Sequence, residues 1–471
     1  MTSSLDIPTT PLGGPVDSRF RVFPTRNSLE ARISHPGESA PRKYQAYNLS
    51  NFRQIPQMRR FSEEQLFAID VVGRVLPFKT NNYVVEELID WENAPDDPAF
   101  ILNFPQREML APHHFDEIAR LLRTGASPER VREKTTEIRY ALNPHPDGQL
   151  EHNLPRLDGE ELRGMQHKYR ETVLFFPEQG QTCHAYCTFC FRWPQFTGMQ
   201  GMKFAMRESE RLIQYLGRHP EVTDVLFTGG DPLIMKAGIL ASYIDPLLEA
   251  DLPSLRTIRI GTKTLGYWPY RFTSDDDADD LLALFRKIVA AGRHLAIMAH
   301  FNHPHELETP AARQAIALIR QTGAEIRTQS PLLAHVNDRP EIWAKMWKEQ
   351  VGSGCVPYYM FVARDTGAQH YFGVPLVKAW EIFRDAYRQV SGLARTVHGP
   401  CMSSFPGKVQ VLGVHEIRGE KVIALQFLQG RNPDWVLRPF FAQYDEQAIW
   451  LSELKPAFGK GAFFYEESGR G

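Results

Sequence analysis

The stretch TVLFFPEQGQTCHAYCTFCFR, residues 172–192, sets a short β-branched and aromatic run just ahead of three cysteines that fall within eight positions. VLFF (173–176) has the composition of a buried strand, and the Pro, Gly and Thr that follow end it in a loop. Cys183, Cys187 and Cys190 are therefore expected on a loop at the mouth of the sheet that this strand enters. Outward from here the texture repeats. DVLFT (224–228), TIRIGT (257–262), LAIMAHF (295–301), EIRTQS (325–330) and VPYYMFV (356–362) read as further strands, separated by amphipathic segments such as RESERLIQYLGRH and PAARQAIALIRQTG. Strands alternating with helices predict an α/β fold, a partial (β/α)6 TIM-like barrel whose reacting groups sit at the carboxyl edge.

The rest of the chain is read against that barrel, assigned to 166–394. Residues 1–45, rich in Pro, Ser, Thr and Gly, are expected to form a disordered or draped arm. Residues 46–165 carry the helical spacing of FDEIARLLRTG and PERVREKTTEIRYAL and read as a helical N-terminal extension. Residues 395–471 read as a small β-rich C-terminal segment, with VQVLGVHEIRGEKVIALQFL as a hairpin turning at RGE.

Lys plus Arg number 54 and Asp plus Glu 56, a net charge of −2, which gives no electrostatic footprint for nucleic acid or an anionic membrane. A small-molecule substrate or a protein-bound one is expected. No run approaches the ~18 apolar residues of a membrane span, and the first residues lack the apolar core of a secretory signal, so a cytoplasmic location is expected. Five cysteines do not make a disulfide framework; three are clustered, and Cys355 and Cys401 stand alone.

Thiolates are the soft ligands that iron–sulfur clusters require, and three of them leave one iron of a four-iron cluster open to a small molecule. Zinc held by the three cysteines and His184 is the alternative ligand set. The second strand ends in Phe227-Thr228-Gly229-Gly230-Asp231-Pro232, where glycines let a polar ligand approach the backbone. A CxxxCxxC loop followed one βα unit later by GGD resembles the radical S-adenosylmethionine (SAM) enzymes. That resemblance implies a [4Fe-4S] cluster on Cys183, Cys187 and Cys190, SAM against Gly229, Gly230 and Asp231, and a reducing partner such as flavodoxin or ferredoxin.

Seven strings, HKYRETVLFF, CHAYCTFCFR, DVLFTGGDPL, IRIGTKT, AHFNHPHE, QSPLLAHVND and PYYMF, stand in an order and near a spacing that resembles the lysine 2,3-aminomutase family over residues 167–408. The resemblance implies that a 5′-deoxyadenosyl radical abstracts a β-hydrogen from an amino acid held by pyridoxal phosphate (PLP) as an imine, and that nitrogen then moves from the α to the β carbon. It places the PLP lysine at Lys408 in SFPGKVQV and the partner of the substrate carboxylate at Arg192. Gln329 and His300 match positions lining the SAM and PLP cavity.

The sequence departs from the family where arginines grip the PLP phosphate: Lys168, Thr172 and Thr188 stand at those positions, of which lysine can still bind phosphate as a point charge. Arg170 is close by but out of the family's register. Where lysine-specific members hold the ε-ammonium with two aspartates, this chain has Arg364 and Cys401. A cation there repels lysine and attracts a carboxylate, so a substrate other than free lysine is expected; a slip of one residue would instead bring Asp365 into the site. The family's C-terminal zinc cysteines are missing, so a homo-oligomer, if formed, is expected to assemble differently. Two other functions stay open: a radical SAM enzyme on the same scaffold that does not use PLP, and a non-enzymatic zinc or cluster-binding protein.

Overall fold

The computed structural model describes residues 42–467 apart from 200 and 203, so nearly all of the arm expected at 1–45 lies outside the described residues. Eleven strands form one sheet in which spatial order follows sequence order. Strands β1 (Met165–Tyr169) and β2 (Thr172–Phe175) make an antiparallel hairpin. Parallel pairing then runs through β3 (Asp224–Phe227), β4 (Thr257–Thr262), β5 (His294–His300), β6 (Glu325–Leu332), β7 (Val356–Val362) and β8 (His398–Ser403). Antiparallel pairing resumes through β9 (Gly407–Ile417), β10 (Glu420–Gly430) and β11 (Pro439–Gln443).

Parallel neighbours need a crossover, and a helix supplies each one: Ser209–Arg218, Ala237–Glu249, Ala278–Ala290, Pro310–Gln321, Pro340–Gly352 and Leu376–Tyr387. The α/β partial barrel read from the strand pattern is thus the observed fold, with β2 beginning at Thr172, one residue ahead of the expected start. The structure adds two things. A seventh parallel strand, β8, follows the six, and the C-terminal hairpin, turning at Arg418–Gly419, extends the same sheet. Lys168 lies on β1, a strand that the sequence pattern did not reveal.

Alternation explains why one face of the sheet packs and the other is left for chemistry. In β4, Ile258 and Ile260 are buried on the helix side, whereas Arg259 and Gly261 line the interior cavity and Thr262 joins them at the strand's carboxyl end. The helices answer with apolar stripes. Leu281, Leu284, Phe285 and Ile288 of Ala278–Ala290 join Ile258, Ile260, Leu295 and Ile297 in the main core, where truncating Phe285 to Ala would cost about 3–5 kcal/mol.

The N-terminal extension contributes helices Glu63–Val75, Pro112–Arg123 and Pro128–Ala141, the first opened by a Ser62–Gln65 capping box. Their buried faces, Val71, Val72, Phe115, Ile118 and Ile138, share a core with Trp193 and Phe372 of the barrel loops. The extension therefore packs against the loops that carry the site. No described helix is long and apolar enough to cross a membrane.

Candidate functional site

One cavity of about 390 Å³ opens among the strand interiors and their carboxyl-end loops. Cys183, Cys187 and Cys190 line it, on the loop that leaves β2. Each thiol has its ionisation pushed up by burial, Cys187 to about 12 and Cys190 to about 11. Thiols so placed ionise readily only against a compensating metal centre. Among the described residues no three His, Cys, Asp or Glu side chains gather closely enough to hold a single metal ion. His184 is also committed elsewhere, its Nδ1 3.1 Å from the Thr264 hydroxyl and its ring stacked on Trp268. His184, the fourth ligand of the zinc alternative, has its contacts elsewhere, whereas three cysteines on one cavity loop match the three-thiolate set of a cluster with one open iron.

Gly229, Gly230 and Asp231 line the same cavity after β3. The Asp231 amide donates to the Thr182 carbonyl at 2.7 Å, clamping the GGD turn onto the cysteine loop. A Cβ on Gly230 would sit 2.4 Å from that carbonyl oxygen, so only glycine allows the approach. The Asp231 carboxylate is fully engaged: it accepts from Thr262 Oγ1, Thr264 Oγ1 and the backbone amides of Leu233 and Lys263 at 2.8–3.0 Å. Asp231 braces two strand ends and leaves the glycine backbone to face a ligand.

His300, at the end of β5, lines the cavity with its Nε2 buried and without a hydrogen-bond partner. Burial holds its pKa well below the ordinary range, so the ring is neutral. Gln329 of β6 lines the wall beside it. Arg192 also faces the cavity, over the rings of Phe176 and Phe191 at 4.6 and 4.9 Å, and its pKa is lowered by burial to about 10. None of the described carboxylates pairs with it, leaving a guanidinium fork available to an anionic ligand.

Lys408 lies on β9, in the same cavity as the cysteines. Its Nζ donates to Gln429 Oε1 at 2.9 Å and sits 3.9 Å from the centre of the Tyr359 ring. Burial lowers its pKa to about 8, so a sizeable fraction is neutral amine near physiological pH. Lys168, lowered by burial to about 7, lines the cavity and donates to the Ser404 carbonyl.

Arg364, two residues beyond β7, lines the cavity, whereas Asp365 does not. Cys401 is buried on β8 outside the lining. Thr172 faces the cavity, hydrogen-bonded to Arg259 and Asp224. Thr188 is turned away, its hydroxyl donating to the Ile101 carbonyl at 2.7 Å and its amide to Leu102. Sequence reasoning missed four charged lining residues, one of them Lys263, whose Nζ is 2.6 Å from Glu306. Asp147, on a tight turn of the extension, pairs with Arg364 at 2.6 Å. Arg259 of β4 bridges Asp224 and Thr172. Arg431, just past β10, holds the Phe405 and His152 carbonyls and the Asn153 amide oxygen.

A parallel α/β partial barrel with three cysteines on its first carboxyl-end loop and a glycine clamp on its second defines a radical SAM enzyme. The chain belongs to the lysine 2,3-aminomutase family. It is 31% identical over 351 residues to a protein of Aquifex aeolicus (strain VF5) named "Putative L-lysine 2,3-aminomutase", a match covering 74% of this chain and 81% of that one. It is 30% identical over 243 residues to the L-lysine 2,3-aminomutase of Escherichia coli (strain K12), covering 50% of this chain and 66% of that one. With the L-lysine 2,3-aminomutase of Bacillus subtilis (strain 168) it shares 29% over 320 residues, covering 67% and 62% of the two chains. Among solved structures, a radical SAM methyltransferase from Sphaerobacter thermophilus aligns with a TM-score of 0.37 and 15% identity, over 63% of this chain and 94% of that chain. No protein-family model matches the chain. Membership in the family implies a [4Fe-4S] cluster and SAM, and the cysteine and glycine loops fit both.

Proposed function

We propose that this enzyme is an amino acid 2,3-aminomutase that uses PLP on Lys408 and acts on a substrate other than free lysine. The observation that carries the proposal is the presence of Lys408 and the three cysteines in one cavity, with a cation-rich wall between Arg192 and Lys168. When bound, the cluster with SAM supplies a hydrogen-abstracting 5′-deoxyadenosyl radical, and PLP supplies a conjugated tether for the migrating nitrogen.

The chain's own residues do the rest. Lys408, partly neutral at its pKa of about 8, offers a free amine to the PLP carbonyl carbon, with Gln429 orienting Nζ. Lys168 and Arg431, both at the cavity wall, offer donors to the phosphate in place of the family's arginines, the anion itself favouring the ammonium form of Lys168. Arg192 takes the substrate α-carboxylate in its open fork. His300 and Gln329 supply polar edges where SAM lies against the glycine turn. Apolar lining from Leu226, Phe189 and Phe361 keeps bulk water from the radical. Arg364 meets the far end of the substrate and disfavours an ammonium there. The family setting also supports a low-potential electron donor as partner and a cytoplasmic location.

Anaerobic reconstitution with iron and sulfide, followed by PLP addition and borohydride trapping, tests the reading. The expected result is a PLP adduct mapped to Lys408 by peptide mass spectrometry and absent from Lys408→Ala. A fully assembled cluster with no adduct would favour the PLP-independent enzyme on the same scaffold.

A further inference from the structure

The N-terminal extension, together with Tyr44 just ahead of it, makes several polar contacts with the cysteine loop. Tyr44 Oη donates to the His184 carbonyl at 2.6 Å, Asn81 Nδ2 donates to the same carbonyl, and the Tyr186 amide donates to the Lys79 carbonyl at 2.7 Å. Within this cradle Lys79 Nζ donates to the Cys183 carbonyl at 2.7 Å and lies between the Tyr44 and Tyr186 rings, 5.8 and 5.7 Å from their centres.

A partly buried ammonium normally has a carboxylate partner, because leaving it uncompensated is costly. Lys263, the other lysine beside this loop, follows the rule: its Nζ is 2.6 Å from Glu306. Among the described residues Lys79 has no carboxylate within ion-pair distance; its Nζ meets the Cys183 carbonyl and two ring faces. The missing anion has a natural identity. A cluster bound by three thiolates carries net negative charge, and more of it after one-electron reduction.

We propose that Lys79 sets the reduction potential of the cluster by placing a positive charge behind its Cys183 corner. The proposal rests on the reading of Cys183, Cys187 and Cys190 as cluster ligands. The step is the uptake of one electron from a low-potential donor, with no bond made or broken at Lys79. A nearby cation stabilises the reduced cluster more than the oxidised one and so raises the potential. Lys79 is a positioning residue for charge; it does not touch the substrate.

Lys79→Gln keeps a donor for the Cys183 carbonyl and removes the charge, while Lys79→Arg keeps the charge. The measurement is redox titration of the reconstituted protein with dithionite, followed by the electron paramagnetic resonance signal of the reduced cluster, alongside iron and sulfide content. The expected result is a more negative midpoint potential in Lys79→Gln at full iron content, with Lys79→Arg close to wild type; loss of the cluster from Lys79→Gln would overturn the proposal, because Lys79 would then act in assembly and not on the potential. Full iron content and an unchanged midpoint in Lys79→Gln would overturn the proposal. So would Lys79→Arg behaving as Lys79→Gln does, since geometry rather than charge would then be the cause. Failure of the underlying cysteine reading is distinguishable, because wild-type protein would itself take up no iron and sulfide.

Discussion

The Asp147 carboxylate accepts a hydrogen bond from Arg364 at 2.6 Å, joining residues 217 positions apart across the cavity wall. Asp147 reaches it from a left-handed backbone position, φ 56°, beside Gly148 at φ 54°. The two side chains are only 18% and 15% exposed, so the pair is poorly screened. Arg364 keeps its buried Nε without a partner, so the guanidinium retains donor capacity toward the cavity. The cation expected at the distal end of the substrate is therefore partly neutralised from within, and an acidic substrate must compete with Asp147 for it.

Asp147→Asn removes that competition. The expected outcome is tighter binding of glutamate or aspartate relative to lysine, with the affinity ratio rising about tenfold, as a partly buried ion pair of about 1–2 kcal/mol would give. Arg364→Ala should shift the ratio the opposite way. Equilibrium dialysis with labelled amino acids measures both, and a ratio unmoved in either variant would remove Arg364 from the specificity assignment.

Replacing any one of Cys183, Cys187 and Cys190 by Ser should reduce bound iron by at least about tenfold after reconstitution, since a hard hydroxyl is a poor substitute for a thiolate on iron. Cys355→Ala and Cys401→Ala should retain iron, because both cysteines are buried away from the cavity lining. Iron and sulfide analysis with circular dichroism as a folding control separates loss of ligand from loss of fold.

Six of the seven parallel strands were legible because each is a short β-branched, aromatic or otherwise apolar run bounded by turn residues, whereas HGPCMS of β8 has no such run; the cysteine and GGD loops were legible because their chemistry is local in sequence. Lys168 was recognised, but its strand was not: MQHKY has no apolar alternation and is held as an edge by pairing with Thr172–Phe175. Asp147 and Arg431 were invisible for a different reason. Each is an ordinary charged residue in a turn, and each has partners more than two hundred positions away that a local reading does not reveal. Thr188 misled in the same way, since its position between two cysteines gave no hint that its hydroxyl belongs to the extension.

Gly230→Ala tests the clamp between the two loops. Its Cβ would meet the backbone of Thr182 at 2.4–2.7 Å, so the cysteine loop must shift. The expected result is a destabilisation of about 1–3 kcal/mol and loss of SAM binding by calorimetry. Gly238→Ala is the control, with nothing within 4 Å of the added carbon and a helical position where alanine gains up to about 1 kcal/mol. Equal behaviour of the two variants would show that the approach of Gly230 to Thr182 carries no constraint.

Lys408 makes stability depend on pH in a predictable direction. Its folded pKa of about 8 lies below the ordinary 10.5 because burial disfavours the ammonium. Between those values the unfolded chain binds more protons than the folded one, so stability must rise with pH through this window. Below pH 8 the folded protein bears the full cost of the buried charge. Lys408→Met removes it, and the variant should be more stable than wild type at pH 7 by on the order of 1–3 kcal/mol, with the difference shrinking toward pH 10. Urea unfolding of the two cofactor-free proteins at several pH values measures this. The same titration predicts that PLP capture by wild type quickens as pH passes through about 8, when neutral amine becomes the major form. A capture rate that rises only near 10.5 would mean that the cavity does not lower the lysine, and Lys408 would lose its claim to the PLP carbonyl.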